Sequence, residues 1–371
     1  MKLLTQGQLN EWLDRVATSY TLVAPVNAQG KLLYRPVRTH DEIEWGFQRT
    51  AMSPKGWLFP ATEPILTIEQ GTETRLEDAP APAPTVLFGV RPCDARGALA
   101  IDALFLDKPP ADGQYARHRE ATTLIGLACP QMWDTCFCTV VGGAPDSTEG
   151  LDILLTTVPG GDGARYSPVG SPLPRGKDQG SPSGANGIPL RRGEYAVQVL
   201  SEKGGRLAAE MPGEEKPVAL PKPRLSEGLP TLQPSTEWKQ RFNDALWKEV
   251  TDRCLACRAC TFVCPTCRCF DVRDELTILK PGLKEFTRLR AWDTCTASMY
   301  RRAAGGHNPR DTQEKKLRNR FYCKFVYYPD DFGPMGCVGC GRCIDACPAR
   351  IDILEVIAKV EQMTQKAQIQ S

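Results

Sequence analysis

The sequence predicts an α+β fold, or alternatively α/β, in which a mixed N-terminal domain precedes a smaller, cysteine-rich domain. Two observations lead to this prediction. Over residues 1–211, short apolar runs of strand character alternate with blocks of mixed helix and loop. Over residues 235–371, two matched cysteine motifs flank a long insertion at 265–336, for which we predict helical structure.

The first predicted element is a helix that begins after Thr5. Thr5 and Gln8 fit a capping box, in which each side chain satisfies a free backbone N–H of the first turn. An apolar stripe at helical spacing follows, made by Leu9, Trp12, Leu13 and Val16. Six short apolar runs then predict strands at 21–26, 32–34, 85–90, 123–128, 151–158 and 195–200.

Two segments rich in Gly and Pro interrupt this pattern. In the first, 159–193, 15 of the 35 residues are Gly or Pro, so it buries too little apolar surface to offset its ordering entropy. We expect it to be a long surface excursion. The second, 212–234, is predicted to link the two domains. A helix capped by Ser235 is expected next, because Trp238, Phe242, Leu246 and Val250 recur at near-helical spacing.

Composition and charge exclude several classes of function. The chain has 371 residues and a formal net charge of +2, so no overall field attracts nucleic acid or an anionic membrane. No stretch approaches the roughly 18 unbroken apolar residues that a membrane helix needs. The N-terminus has no apolar core of a signal peptide, because Glu11, Asp14 and Arg15 come early. We expect a cytoplasmic protein.

Sixteen cysteines are the outlying feature of the composition. In a reducing compartment such a density indicates metal binding more often than disulfides. Only three histidines are present, His40, His118 and His307, which disfavours a histidine-rich zinc or iron centre.

The pattern C-x2-C-x2-C-x3-C-P occurs twice in the C-terminal domain. This spacing is typical of two-cluster ferredoxins, where the fourth cysteine of each run binds the other cluster. A zinc site is the alternative, but zinc ribbons use two separated pairs of cysteines. We therefore predict two [4Fe–4S] clusters, one bound by Cys254, Cys257, Cys260 and Cys347, the other by Cys337, Cys340, Cys343 and Cys264. Arg258 and Arg342 lie beside ligands, so each either raises a cluster potential or points to solvent.

The insertion between the two motifs carries four more cysteines, Cys267, Cys269, Cys295 and Cys323. No recognisable spacing unites them, so buried thiols near the clusters are favoured over ligands of another cluster. Residues 301–324 contain eight Lys or Arg against two acidic residues. That run is typical of a solvated face, and a docking surface for an acidic partner is the alternative.

Four cysteines remain in the N-terminal domain. Cys93 and Cys129 each follow a predicted strand, and Cys136 and Cys138 lie close behind. Strands that end in cysteines would place the thiols along one sheet edge, where α/β folds collect their ligands. Our working hypothesis is a third [4Fe–4S] cluster bound by Cys93, Cys129, Cys136 and Cys138, and a set of packed thiols is the alternative.

Several other signatures are absent from the sequence. It has no G-x-G-x-x-G after a strand and no P-loop, which argues against a nucleotide or flavin site on this chain. No arrangement of Cys with His, or of Ser with His, suggests a nucleophile. We therefore expect no independent active site, with substrate chemistry carried out by another subunit.

Five blocks of sequence carry a resemblance to a known family. They are FGVRPCD, TCFC, CPTCRCFDVRD, WDTC and KFVYYPDDFGPMGCVGCGRCIDACP. Together they resemble the β subunit of cytosolic sulfhydrogenases, the NAD(P)-linked [NiFe] hydrogenases, and the related A subunit of anaerobic sulfite reductase. The similarity covers most of the chain and is weakest in the Gly/Pro-rich excursion.

The resemblance implies a hetero-oligomer in which this subunit connects a flavin- and NAD(P)-binding subunit to a second redox partner. In the hydrogenases that partner is the small [NiFe] subunit, and in sulfite reductase it is a sirohaem subunit. The expected function is therefore electron relay in a hydrogenase complex, with reduction of sulfite or another sulfur compound as the alternative. A redox-sensing or structural iron–sulfur scaffold is an alternative of another class.

Overall fold

The computed structural model describes residues 1–158, 194–232 and 235–370, and the predicted excursion at 159–193 lies outside these residues. The strands are β1 (Lys2–Thr5), β2 (Thr21–Ala28), β3 (Lys31–Pro36), β4 (Thr62–Gln70), β5 (Thr74–Asp78), β6 (Thr85–Val90), β7 (Thr122–Leu127), β8 (Ile153–Val158), β9 (Glu194–Val199), β10 (Glu214–Glu215), β11 (Phe270–Lys280) and β12 (Leu283–Trp292). The helices are α1 (Gln6–Ser19), α2 (Pro92–Phe105), α3 (Gly113–Ala121), α4 (Glu202–Ala208), α5 (Ser235–Gln240), α6 (Leu246–Asp252), α7 (Ala259–Phe262), α8 (Gln313–Tyr322), α9 (Tyr328–Phe332), α10 (Arg342–Asp345) and α11 (Ile353–Gln370). Among these residues, no helix combines the length and apolar character needed to cross a bilayer.

An eight-stranded sheet forms the N-terminal part, in the order β10-β1-β9-β8-β7-β6-β2-β3. Strands β2, β6, β7 and β8 are parallel neighbours, and antiparallel strands extend the sheet on both sides. Every residue of β6 and β7 is buried, as expected for central strands covered on both faces. Because β6 and β7 are parallel, the segments that follow them leave from the same edge of the sheet.

The local predictions for the N-terminal part are confirmed. Thr5 caps α1, both hydrogen bonds of the capping box are present, and the predicted apolar stripe is buried. The six predicted strands correspond to β2, β3, β6, β7, β8 and β9, with ends that differ by at most a few residues. The mixed α and β fold class is also confirmed.

A second sheet, in the order β11-β12-β4-β5, joins distant parts of the chain. Besides the helices expected in it, the insertion contains the long hairpin β11–β12, which pairs with β4 of the N-terminal part. The buried Arg290 guanidinium of β12 contacts the Glu63 carboxylate of β4, with Nε 2.7 Å from Oε1. The predicted division into residues 1–211, 212–234 and 235–371 stays a prediction.

The single helix predicted after Ser235 is wrong, because two short helices, α5 and α6, occupy this segment. The Asp244 side chain accepts the backbone N–H of Leu246 at 2.9 Å and so begins the second helix. Trp238, Leu246 and Val250 are buried as expected, whereas Phe242 is 37% exposed.

An aromatic core packs against the two cysteine motifs. Trp238 and Trp247, on α5 and α6, pack with Phe321 and Tyr322 of α8, and the Trp238 and Phe325 rings lie 4.8 Å apart. The first turns of α11 complete this core with Ile353, Val356 and Ile357. Aromatic side chains bury large areas with few rotatable bonds, so this core holds the loops of the two cysteine motifs rigidly.

Candidate metal centres

The first cysteine motif forms a loop that precedes α7 and lies at the surface of the described structure. Two residues in it have left-handed backbone, Ala256 with φ 53° and Arg258 with φ 65°. Cys257 and Arg258 are exposed, and Leu255 is 67% exposed. The Arg258 side chain therefore points to solvent, which is one of the two possibilities left open by the sequence.

The second motif repeats this backbone path but is covered. Gly339 and Gly341, with φ 66° and 75°, take the places of Ala256 and Arg258. The loop that contains Cys136 and Cys138 lies directly against them, and Phe137 N–H donates to the Gly339 carbonyl at 2.8 Å. A Cβ at Gly341 would lie 2.4 Å from the Thr135 carbonyl oxygen. Glycine is therefore needed in the second loop for space as well as for backbone conformation.

Two neighbouring cavities collect the eight motif cysteines. The first is lined by the first three cysteines of one run and by Cys343 and Cys347 of the other. The second is lined by Cys337, Cys340 and Cys343 together with Cys264. Each cavity thus contains the fourth cysteine of the opposite run. The backbone N–H of Ile351 lies 3.3 Å from Cys347 Sγ, the type of contact that tunes cluster sulfurs.

The four N-terminal cysteines come together at the edge where β6 and β7 end. Cys93 begins α2 directly after β6, and Cys129 follows β7. Electrostatic interactions link Cys93 with Cys129, Cys129 with Cys136, and Cys136 with Cys138. The buried Arg91 guanidinium holds this edge by donating to the carbonyls of Gln48, Leu127 and Ala128 at 2.7 to 3.3 Å.

This N-terminal set adjoins the second cavity. Cys136 Sγ lies 3.8 Å from the Cys340 carbonyl oxygen, and Cys93 interacts electrostatically with Cys340. Arg49 bridges the two sets, since its Nη1 lies 3.5 Å from Cys136 Sγ and also contacts the Cys340 carbonyl. The three groups of cysteines therefore form a row from the sheet edge to the exposed first motif.

Burial keeps many of these thiols protonated when no metal is bound. It raises the pKa of Cys138 and of Cys340 to about 12, because a thiolate is poorly solvated in the interior. A metal binds the thiolate form, so loading these sites releases protons. Without metal, these protonated thiols would be neutral. With a cluster bound, the thiolates and sulfides would carry negative charge.

Arg320 of α8 provides a test of whether a cluster fits. Its side chain is buried and lines both cavities, where Nη2 lies 3.3 Å from the Cys260 carbonyl. The buried Nε has no hydrogen-bond partner among the described residues. An unpaired guanidinium N–H inside the protein is costly unless an acceptor is supplied. The thiolates and sulfides of a [4Fe–4S] cluster are negatively charged hydrogen-bond acceptors, so the residues present fit this group.

The interpretation of residues 301–324 as a solvated face is wrong for one side of α8. Lys316, Arg320 and Lys324 are 7%, 4% and 2% exposed. Their spacing of four residues places them on one helix face, and Arg320 and Lys324 line the second cavity with its cysteines. Leu317 and Phe321, buried beside them, were the available signal that this face points inward.

Sequence reasoning also missed Asp94 and the setting of Arg342. The Arg342 guanidinium is buried and pairs with the Asp94 carboxylate, with Nη1 to Oδ1 at 2.5 Å and Nη2 to Oδ2 at 2.8 Å. Arg342 therefore does not point to solvent. Asp94 and Arg342 are 248 positions apart, so no local sequence pattern indicates that they meet.

The four insertion cysteines also lie near one another, although no spacing unites them in the sequence. Cys269 is hydrogen-bonded to Cys295, and Cys295 interacts electrostatically with Cys267 and Cys323. Within the residues that the structure describes, no three Cys, His, Asp or Glu side chains form a site for a single metal ion.

Comparison with known proteins agrees with this arrangement. Residues 253–351, which include all eight motif cysteines, match the family described as "4Fe-4S dicluster domain". The Sulfhydrogenase 2 subunit beta of Pyrococcus furiosus is 30% identical over 353 residues, which cover 95% of this chain and 96% of the relative. No solved structure matches the chain. The extent of this similarity shows that the chain is an iron–sulfur protein that belongs to the family of sulfhydrogenase β subunits.

Proposed function

We propose that this chain is the iron–sulfur electron-transfer subunit of a cytoplasmic oxidoreductase complex. In this proposal it relays electrons between an NAD(P)- and flavin-binding subunit and a [NiFe] hydrogenase module. The relative's printed name, a sulfhydrogenase subunit, supports membership of a multi-subunit enzyme. The proposed clusters supply one-electron chemistry, and the protein supplies their spacing, burial and charge.

The observation that carries the proposal is the continuous row of cysteine groups. Cys343 and Arg320 line both ferredoxin cavities, so little protein separates the two sites. The contact between Cys136 and the Cys340 carbonyl brings the N-terminal group against the second cavity. One end of the row is at the edge of the sheet and the other is at the exposed Cys257. Such a row suits electron passage through the subunit rather than storage at one place.

The proposed ligand sets follow this row. One cluster is assigned to the first motif with Cys347, and a second to the second motif with Cys264. A third is assigned to the N-terminal group of Cys93, Cys129, Cys136 and Cys138. The cavities support the first two sets, and the shared edge of β6 and β7 supports the third.

The test is purification of the native complex under anaerobic conditions. Nickel in the complex, together with hydrogen-dependent NAD(P) reduction, would support the proposal. Replacing Cys257 with Ser should then abolish that activity while leaving the nickel content unchanged. Sirohaem in place of nickel, with sulfite-dependent oxidation of the donor, would move the function to a sulfur-compound reductase. Clusters that no physiological donor reduces would indicate a sensor or scaffold.

A further inference from the structure

The hairpin β11–β12 brings three of the insertion cysteines to its base. Cys269 immediately precedes β11, and Cys295 lies three residues after β12. Phe270 pairs with Trp292 at the ends of the two strands, and the N–H of Asp293 donates to the Cys269 carbonyl at 2.9 Å. Pairing over ten positions thus brings together thiols that are 26 residues apart in the sequence (295 − 269).

The fourth insertion cysteine comes from the opposite side. Cys323 begins a π-helical turn, Cys323–Tyr327, at the end of α8. Turns of this kind are frequent at functional sites because they redirect side chains within a helix. Both Cys267 and Cys323 are among the groups that interact electrostatically with Lys324 and with Cys295. Three separate segments therefore present four thiols to one region.

Two buried lysines face the same region. Lys55 is 5% exposed and Lys324 is 2% exposed. The Lys55 ammonium donates to the Cys267 carbonyl at 2.8 Å, and the Lys324 ammonium donates to Thr266 Oγ1 at 2.6 Å. In the described parts of the chain, neither ammonium is within ion-pair distance of a carboxylate. Both ammonium groups interact electrostatically with Cys264 and Cys267.

A buried ammonium without an anionic partner is costly. Lys324 also lines the second cavity, so the cluster proposed there would share its charge. Lys55 is not part of that lining and stacks on the Trp292 ring at 4.0 Å, so it indicates a further negative charge beside the insertion cysteines. Protonated thiols do not supply it, because a neutral thiol carries no charge. A [4Fe–4S] cluster bound by four thiolates is an anion and would balance both lysines.

We propose that the four insertion cysteines, Cys267, Cys269, Cys295 and Cys323, bind a further [4Fe–4S] cluster. The hydrogen bond between the thiols of Cys267 and Cys264 places this site directly beside the second ferredoxin cavity. The row of cysteine groups would then branch at Cys264, and the new site would lie at the base of the β11–β12 hairpin.

The test is the iron and acid-labile sulfide content of the anaerobically purified complex, measured for the native chain and for the double variant Cys269→Ser/Cys295→Ser. The expected result is a loss of one cubane, about four iron and four sulfide per chain, in the double variant. Cys257→Ser is the matched control, since it should lose one cubane from a different site. The triple variant Cys257→Ser/Cys269→Ser/Cys295→Ser should lose two cubanes.

An unchanged iron content in the double variant, with the control reduced, would overturn the proposal. Zinc in place of iron at these residues would overturn it as well. If the double variant does not fold, the same measurement on Cys323→Ser decides, since unchanged iron in that variant would contradict the site. The partner subunits contribute equally to the native and variant complexes, so the difference in iron comes from this chain, and failure of hydrogen-dependent NAD(P) reduction would leave this result unaffected.

Discussion

Arg342 and Asp94 form a buried ion pair that fastens the second cysteine motif to the N-terminal sheet. The two side chains are 2% and 0% exposed, and both guanidinium Nη atoms contact the carboxylate. Arg342 begins α10, beside Cys343, and Asp94 lies in the first turn of α2, beside Cys93. The pair therefore lies between two of the proposed cluster sites.

Removing one partner of this pair should destabilise the protein strongly. Asp94→Ala leaves the Arg342 charge buried and unpaired, for which a cost of about 3–5 kcal/mol is expected. Thermal unfolding of the anaerobic complex measures it as a lowered melting temperature. The control is Glu355→Gln, which breaks the exposed ion pair with Arg253 and should cost less than about 1 kcal/mol. Equal effects of the two substitutions would contradict the importance of burial.

The same pair should set cluster potentials in opposite directions. Arg342→Gln removes a positive charge and leaves Asp94 uncompensated, so the reduced, more negative cluster is disfavoured and the midpoint potential falls. Asp94→Asn does the reverse and raises it. Each 1.4 kcal/mol corresponds to about 59 mV for a one-electron couple, so shifts of tens of millivolts are expected in redox titrations. Arg258→Gln, at an exposed side chain, should change the potential little, and shifts of the same sign in the two pair variants would refute this account.

The crossed arrangement of the motif cysteines has a spectroscopic consequence. Cys347→Ser should remove the same paramagnetic signal as Cys257→Ser, because both residues line the first cavity. Cys264→Ser should remove the same signal as Cys340→Ser, since both line the second. Electron paramagnetic resonance of the four reduced variants checks this. Loss of the second motif's signal in Cys347→Ser would rule out the ferredoxin pairing.

The N-terminal group should hold a cluster of its own. Cys129→Ser is expected to lower iron and sulfide by one cubane, about four of each per chain, while leaving both ferredoxin signals in place. The control is Cys340→Ser, which should also lose one cubane but together with a ferredoxin signal. Unchanged iron in Cys129→Ser would mean that these thiols are packed side chains.

The covered second loop should require its glycines. Gly341→Ala combines a left-handed backbone, which costs a residue with Cβ about 1–2 kcal/mol, with a contact of 2.4 Å to the Thr135 carbonyl oxygen. A lower melting temperature and loss of iron are expected. Arg258→Ala tests the matching position of the exposed loop, where φ is already 65° without glycine, and should stay within about 0.5 kcal/mol of the parent chain.

Features that depend on residues close together along the chain were predictable from the amino-acid sequence. The capping box at Thr5 and the buried runs of β6 and β7 are local patterns, so each predicted its structure directly. The family resemblance, carried by short blocks, was confirmed in the same way. The single helix expected at 235–250 was wrong, because the chain forms two short helices there and the Asp244 side chain accepts the Leu246 N–H at the start of the second.

Contacts between residues far apart along the chain became known from the fold alone. Glu63 and Arg290 are separated by 227 positions, and Arg342 and Asp94 by 248, so no local pattern relates them. Strand β11 is largely exposed and β12 is mostly half-buried, and the hairpin joins the four-stranded sheet through the pairing of β12 with β4. That pairing, with the turn at Cys323, gathers the insertion cysteines and the two buried lysines. A buried ammonium is costly when no negative charge lies near it, so the lysines and the cysteine thiolates would stabilise one another at this place.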